Sequence, residues 1–232
     1  MEFRQLVNEA ERDVFIEQVE RARAAAGIFR ETSRMQSENR RRLAASQLYG
    51  LFKDEAASAD RMIAGIATHD LEAFPQSCRE PDLSDFIPRT VFECSDHWSL
   101  SSGAGLFVWA GLAKRIRVLG VKAVIAYLAA GDLANEHAGF YAAMGFVGAG
   151  PIVEHPFVEA AGGGYLRVQP VILQGAALVN VIDAFAAEFS DDVPRMRSFM
   201  RPLLRGSSRR PSHVERRAAA AVPSAAEMSM AG

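Results

Sequence analysis

Apolar and polar positions along this chain change period several times, and each change marks an element. "EFRQLV" near the start reads as a short strand. "NEAERDVFIEQVERARAAAG" then follows with helical period: Asn8 and Glu11 form a capping-box pair, Phe15, Val19, Ala22 and Ala26 share one face, and Gly27 stops the helix. Residues 30–45, "RETSRMQSENRRRLAA", are rich in arginine and predict either a solvated second helix or a lid. "SQLYGLFKDE" and "RMIAGIATHDL" read as two strands of a hairpin, joined by the polar segment around Ala56 to Asp60. Pro75, Pro81 and Pro88 punctuate a loop before the strand "RTVFECSD".

The second half is more regular. From Ala104 to Leu119 the only polar residues are Lys114, Arg115 and Arg117, which predicts a helix buried over much of its surface and ended by Gly120. "VKAVIAYL" is a strand whose near-continuous apolar character suits the centre of a sheet. "DLANEHAGFYAAM" is a helix that Asp132 can cap and Gly145 closes; "GYLRVQPVIL" is a late strand and "ALVNVIDAFAAEFS" a final amphipathic helix. The order predicts an α/β domain over residues 1–205, with a mixed central sheet flanked by helices and a crossover helix between the strands near 85–100 and 121–128. Residues 206–232 have almost no large apolar side chains, and we expect a disordered Arg/Ala-rich tail.

Composition narrows the class without naming a function. Hydrophobic residues make up 49% and charged residues 23% of 232 residues, the balance of a soluble globular protein. The net charge of -2 hides an asymmetry: residues 201–232 hold six arginines and two glutamates, leaving about -6 on the rest. A mildly acidic body argues against a broad nucleic-acid surface. Cys78 and Cys94 are the only cysteines, the N-terminal "MEFRQLVNEAERD" is charged throughout, and no apolar run reaches a membrane span. The expectation is a cytoplasmic protein without a membrane span. The five histidines lack H-x-x-x-H or H-x-H spacing, so no metal site is expected.

The chemistry concentrates in "ECSDHWSLSSGAG", Glu93 to Gly105. A strand, a glycine turn and a helix start in succession make an anion site, because unpaired backbone N–H groups converge there. Ser101, Ser102, Gly103, Ala104 and Gly105 form that turn. It is neither a dinucleotide fingerprint, since Val108 stands at the third glycine position, nor a Walker loop, since Gly-Lys-Ser/Thr is missing. On an extended strand Glu93, Ser95 and His97 point one way, Cys94 and Asp96 the other. An acid therefore faces either side, and Glu93 is the preferred general base, with His97 the second candidate. Each also has a plain structural alternative: a carboxylate in a hydrogen-bond network, a packed histidine. Free buried cysteine usually behaves as a small hydrophobe, which sets Cys94 aside as a nucleophile.

The x-x-G-x-G loop at Gly103 and Gly105, followed by a strand and then "FYAAMGF" (Phe140 to Phe146), resembles the GNAT superfamily of acyltransferases over roughly residues 47–150. Glu93-x-Ser95 and "EHAGFY" with His137 resemble more narrowly the acyl-homoserine-lactone synthase and N-acyl amino acid synthase branch. The resemblance implies that residues Ser101 to Gly105 bind the phosphates of acetyl-CoA or a longer acyl-CoA, and that backbone near Ser95 takes the thioester. It also implies Tyr141 as the acid that steadies the leaving thiolate, with an amine of a small molecule or protein as acceptor and an acyl carrier protein as an alternative donor. A homodimer stays open. Three departures stand out: Leu100 where the family has Arg or Gln, Asn135 one place off the usual asparagine, and Asp96 where the synthase branch has arginine. The rivals are a non-catalytic module of the same fold and a nucleic-acid-associated protein using the arginine-rich segments.

Overall fold

The computed structural model describes residues 1–25, 33–53, 61–100, 103–130, 134–160 and 163–188. In chain order the elements are β1 (Glu2–Gln5), α1 (Glu9–Ala25), α2 (Ser33–Ala45), β2 (Gln47–Phe52), β3 (Met62–Asp70), β4 (Val91–Ser99), α3 (Ala104–Leu119), β5 (Ala123–Ala129), α4 (Ala134–Ala143), β6 (Val147–Gly148), β7 (Val153–Glu159), β8 (Tyr165–Gln174) and α5 (Gly175–Glu188). They build one eight-stranded sheet in the order β1-β2-β3-β4-β5-β8-β6, with β7 also paired to β8. Only β4 and β5 run parallel, joined through α3; the other pairs are antiparallel. The mixed sheet and its crossover helix are as the sequence predicts.

Local signals explain most boundaries. The Asn8 side chain accepts the Glu11 backbone N–H at 2.8 Å and caps α1, while the Glu11 carboxylate pairs with Arg4 at 2.7 Å. Phe15 and Val19 are buried with Leu6, Leu48, Phe52 and Trp98 in a cluster on one face of the sheet. Helix α3 buries nine of its 16 residues and ends at Gly120, whose φ of 67° is the left-handed cap that favours glycine. Its buried stripe meets α4 and α5 on the other face, in a cluster that includes Trp109, Leu112, Tyr141, Met144 and Phe185. A Cβ on Gly111 would sit 2.3 Å from the Phe3 ring, so β1 lies on α3 only because that position has no side chain.

Two expectations fail. Helix α2 forms but is not solvated all round: Arg40, Arg41, Ala44 and Ala45 are exposed, while Asn39, Arg42 and Leu43 are buried. The sequence reading also missed β6 and β7. β7 alternates partly buried with exposed positions and contains Pro156, which reads as a break but is tolerated on an edge strand. The proposed boundary at residue 205 and the tail of 206–232 lie outside the described residues, as do Gly27, the 54–60 link and Asp132. Among the described residues no helix is long and apolar enough to cross a membrane.

Candidate active site

Strand β4 changes face midway, and the candidate site forms where it does. Ser95 lies opposite Ala67 and Trp98 opposite Gly65, so Asp96 and His97 together face Ile66. Asp96 takes up the extra residue with φ 51°, a left-handed conformation that aspartate tolerates better than most residues. One inserted residue inverts the alternation beyond it. Phe92 and Cys94 pack in the cluster under α3, and past the bulge His97 joins their face, stacked on Phe140 and edge-on to Trp109. The Ser95 and Asp96 side chains instead meet arginines of α1 and α2. The expectation that His97 shares a face with Glu93 and Ser95 is therefore corrected: the bulge separates them.

The same point opens the sheet. Val91 to Glu93 pair with Ala123 to Ile125, and there the β4–β5 ladder ends. Beyond it, β4 stays on β3 as far as Ser99 and β5 stays on β8 as far as Ala129. Two parallel strands thus part company around the bulge, leaving backbone groups on facing edges without a ladder between them.

On the α1/α2 face β4 carries a buried cluster of charge. The Asp96 carboxylate accepts from Arg23 at 2.5 Å and from Arg42 at 2.5 Å. Arg42 also donates to Asn39 at 2.7 Å and to the Ser95 hydroxyl, and its Nε is buried without a hydrogen-bond partner. Side-chain exposure is 4% for Asp96 and 3% for Arg42. Burial acts to raise the Asp96 carboxyl, but the two guanidinium groups hold it well below the usual carboxylate range.

Next along the strand, Glu93 accepts the Ser77 backbone N–H at 2.9 Å and the Ser77 hydroxyl. Burial pushes its carboxyl up, against the Ser77 donors and Arg42, which pull it down. His69 stands directly across on β3, with Nε2 3.8 Å from Glu93 Oε2 and Nδ1 3.4 Å from the Ser46 hydroxyl. Burial and Arg42 lower His69 to about 4, so the imidazole is neutral. Tyr127 donates to the Glu80 carbonyl at 2.9 Å, and its ring meets half-buried His155 of β7 edge-on. Burial, Arg42 and Arg23 lower His155 to about 3.

The α3/α4 side is aromatic. Tyr141 packs against Trp109, Phe140 and Phe146, and burial, with Cys94 adding, pushes its hydroxyl well above its ordinary value. It stays protonated and keeps a hydrogen to donate. Burial likewise pushes Cys94 up, which keeps it a thiol. At the head of α3, Gly103 has φ 84° and Ala104 is buried in the core. A Cβ on Gly105 would lie 2.9 Å from His97 Nε2, so this glycine seats the histidine against the first turn of the helix. Leu100 is 63% exposed. Ser101 and Ser102 lie outside the described residues, as does the His137 side chain.

The structure therefore sets Glu93 and Ser95 on one face of β4 and His97 and Tyr141 on the other, with the strand opening between. Sequence reasoning missed Arg23, Arg42, His69, Ser77, Tyr127 and His155. Of these only His69 carried a signal, a polar residue closing an otherwise apolar strand, "MIAGIATHD".

No protein-family model and no curated protein matches the sequence. Solved structures do. FeeM, an N-acyl amino acid synthase from uncultured soil microbes, superposes with a TM-score of 0.53 at 15% identity, covering 75% of this chain and 90% of that one. A probable acetyltransferase from Staphylococcus epidermidis gives a TM-score of 0.52 at 12% identity over 75% of this chain and 99% of that one. Identities this low speak for architecture and leave the substrate aside. The parallel β4–β5 pair, its crossover helix and these likenesses together give this chain the fold of the GNAT acyltransferase superfamily.

Proposed function

We propose that this protein transfers an acyl group from an acyl thioester, either an acyl-CoA or an acyl carrier protein, to an amine. The observation that carries the reading is the parting of β4 and β5 at the Asp96 bulge, with an acid on one side and a tyrosine on the other. An extended thioester arm fits such an opening because strand edges offer it backbone hydrogen bonds. The acceptor amine then attacks the carbonyl carbon, the C–N bond forms and the C–S bond breaks. Glu93 takes the amine proton, directly or through a water, and Tyr141 donates a hydrogen bond to the departing sulfur. A Tyr141 hydroxyl kept protonated by burial suits that donor role. The backbone at Gly103 to Gly105 would hold phosphate at the positive end of α3, without help from the Ala104 side chain, which is in the core. Likeness to FeeM, an N-acyl amino acid synthase, makes amino acids the first acceptors to try.

A second reading, a thioester-binding module without turnover, is favoured by exposed Leu100, which offers a phosphate neither charge nor amide. Release of free thiol from acetyl-CoA, longer acyl-CoAs and acyl carrier protein in the presence of an amino-acid and amine panel separates the two. Turnover that falls at least about tenfold in Tyr141→Phe, without loss of stability, supports the enzyme. Tight thioester binding with no thiol released from any pair supports the module.

A further inference from the structure

Ser46 fixes the tautomer of a buried histidine. A serine hydroxyl has one hydrogen, and that of Ser46 goes to the Arg42 carbonyl at the end of α2, 2.8 Å away. Towards His69 Nδ1, at 3.4 Å, the Ser46 oxygen can then only accept, so Nδ1 carries the ring hydrogen of the neutral imidazole. Nε2 keeps a lone pair. It is buried, makes no hydrogen bond and lies 3.8 Å from Glu93 Oε2. Glu93 accepts two hydrogens, both from Ser77, and Oε2 takes one of them, which leaves that oxygen a second lone pair.

Two acceptors thus face each other from directly paired positions of β3 and β4. The gap is too long for a hydrogen bond and too short for a water to lie in line between them. Both residues are buried, His69 2% and Glu93 0% exposed. A purely structural histidine would take the other tautomer, whose Nε2–H points at the carboxylate, because an unmade hydrogen bond between buried polar groups costs stability. The charged groups around the pair are Arg42 of α2, which opposes a proton on the imidazole, and Asp70 of β3 and Asp96 of β4, which favour one. Burial keeps the nearby Cys78 thiol and Tyr127 hydroxyl protonated, so neither competes for a proton.

We propose that the gap between His69 Nε2 and Glu93 Oε2 seats the proton taken from the acceptor amine, and that His69 is the positioning residue that holds it there. The inference rests on the acyl-transfer reading, in which Glu93 is the base. As the amine nitrogen bonds to the carbonyl carbon and the C–S bond breaks, the N–H proton passes to Oε2 and is shared with Nε2. The two atoms close by about 1 Å to hydrogen-bond distance. The departing thiolate takes a proton from water, and the seat returns its own to solvent when the amide leaves. Held by both atoms, the proton is bound more tightly than by the carboxylate alone, because a hydrogen bond to the neutral acid raises its pKa.

The test combines NMR of full-length protein labelled with ¹⁵N in histidine, which reads the tautomer, with the pH profile of thiol release. The profile uses acetyl-CoA, or the longer acyl-CoA or acyl carrier protein that turns over faster, with the best amine of the panel. At about pH 7 the wild type should show His69 protonated on Nδ1 and bare on Nε2. His69→Asn keeps a polar group near Ser46 but lacks the Nε2 lone pair. Its acid limb should move to lower pH by about one unit, the effect of one ordinary hydrogen bond, and its plateau kcat should fall about threefold because the base is weaker. Ser46→Ala leaves His69 in place and removes only the acceptor that fixes its tautomer. It should switch the hydrogen to Nε2 and move the acid limb in the same direction. KM for the thioester should stay within about twofold in both. A merely structural His69 would lower rate or stability without moving the limb. Should His69→Asn not fold, Ser46→Ala carries the pH arm. A wild-type tautomer with Nε2 protonated, or an unmoved acid limb in either folded variant, overturns the proton seat while turnover upholds the acyl-transfer reading. A wild type that releases no thiol from any pair overturns that reading and the seat's role together, whichever tautomer is found.

Discussion

Replacing His69 with asparagine should flatten the acid side of the stability curve. His69 is 2% exposed and sits between Ser46 and Glu93, and burial with Arg42 lowers it to about 4. In the unfolded chain it titrates near 6.5. As pH falls through about 6.5 the unfolded state takes the proton first, so the folded state binds fewer protons and stability declines until about pH 4, where both forms are protonated. Integrated from about pH 7 to about pH 4.5, that single site costs about 2.4 kcal/mol. Glu93 acts in the opposite sense, because burial raises its carboxyl, and His155, also lowered, acts in the same sense as His69. Both remain in the variant, and exchanging a neutral imidazole for a neutral amide leaves their surroundings uncharged, so the difference between the two curves belongs to His69. Urea unfolding at about pH 7, 6, 5 and 4.5 at fixed ionic strength measures it. The variant starts lower by about 1 kcal/mol from imperfect packing, and the gap should narrow and then reverse as pH falls. Parallel curves would refute the assignment of a buried, neutral His69.

Three other outcomes follow from the packing. Gly111→Ala should destabilise by about 1–3 kcal/mol, seen in thermal melting, because the new methyl must displace the Phe3 ring now 2.3 Å from its position. Arg42→Met should cost about 3 kcal/mol in urea unfolding, at the low end for a broken buried ion pair, since Asp96 keeps Arg23. That loss should shrink in strong acid, where Asp96, held below the carboxylate range by its arginines, finally takes a proton. Ser77→Ala removes a hydroxyl that stabilises ionised Glu93, so the acid limb of the pH–rate profile for thiol release should move to higher pH.

Much of the fold was legible because period and punctuation agreed. Helix α3 runs from Ala104 to Leu119 as its apolar stripe and Gly120 indicate, and the β2–β3 hairpin and central β5 follow from equally plain patterns. The candidate site was legible only in part. Glu93 stands out as a candidate by residue type and Tyr141 by its motif, but the face of His97 depends on one inserted residue at Asp96, which local preference does not announce. Arg42 was hidden in a run of arginines whose neighbours Arg40 and Arg41 are exposed, because the partner that distinguishes it is a carboxylate 54 residues away. His155 sits on an edge strand interrupted by Pro156, so the strand and its histidine were both missed.

The central claim is that the opening between β4 and β5 binds an acyl thioester, and thermal melting with and without coenzyme A tests it most directly. A ligand that binds only the folded state at a hundred times its dissociation constant adds about 2.7 kcal/mol. For a domain of this size that amounts to a rise of roughly 5–10 °C in Tm. The account predicts that rise with coenzyme A and acetyl-CoA, and a smaller one with pantetheine, which lacks the phosphates meant for Gly103 to Gly105. A Tm unmoved by millimolar coenzyme A, acetyl-CoA and acylated carrier protein alike would contradict it.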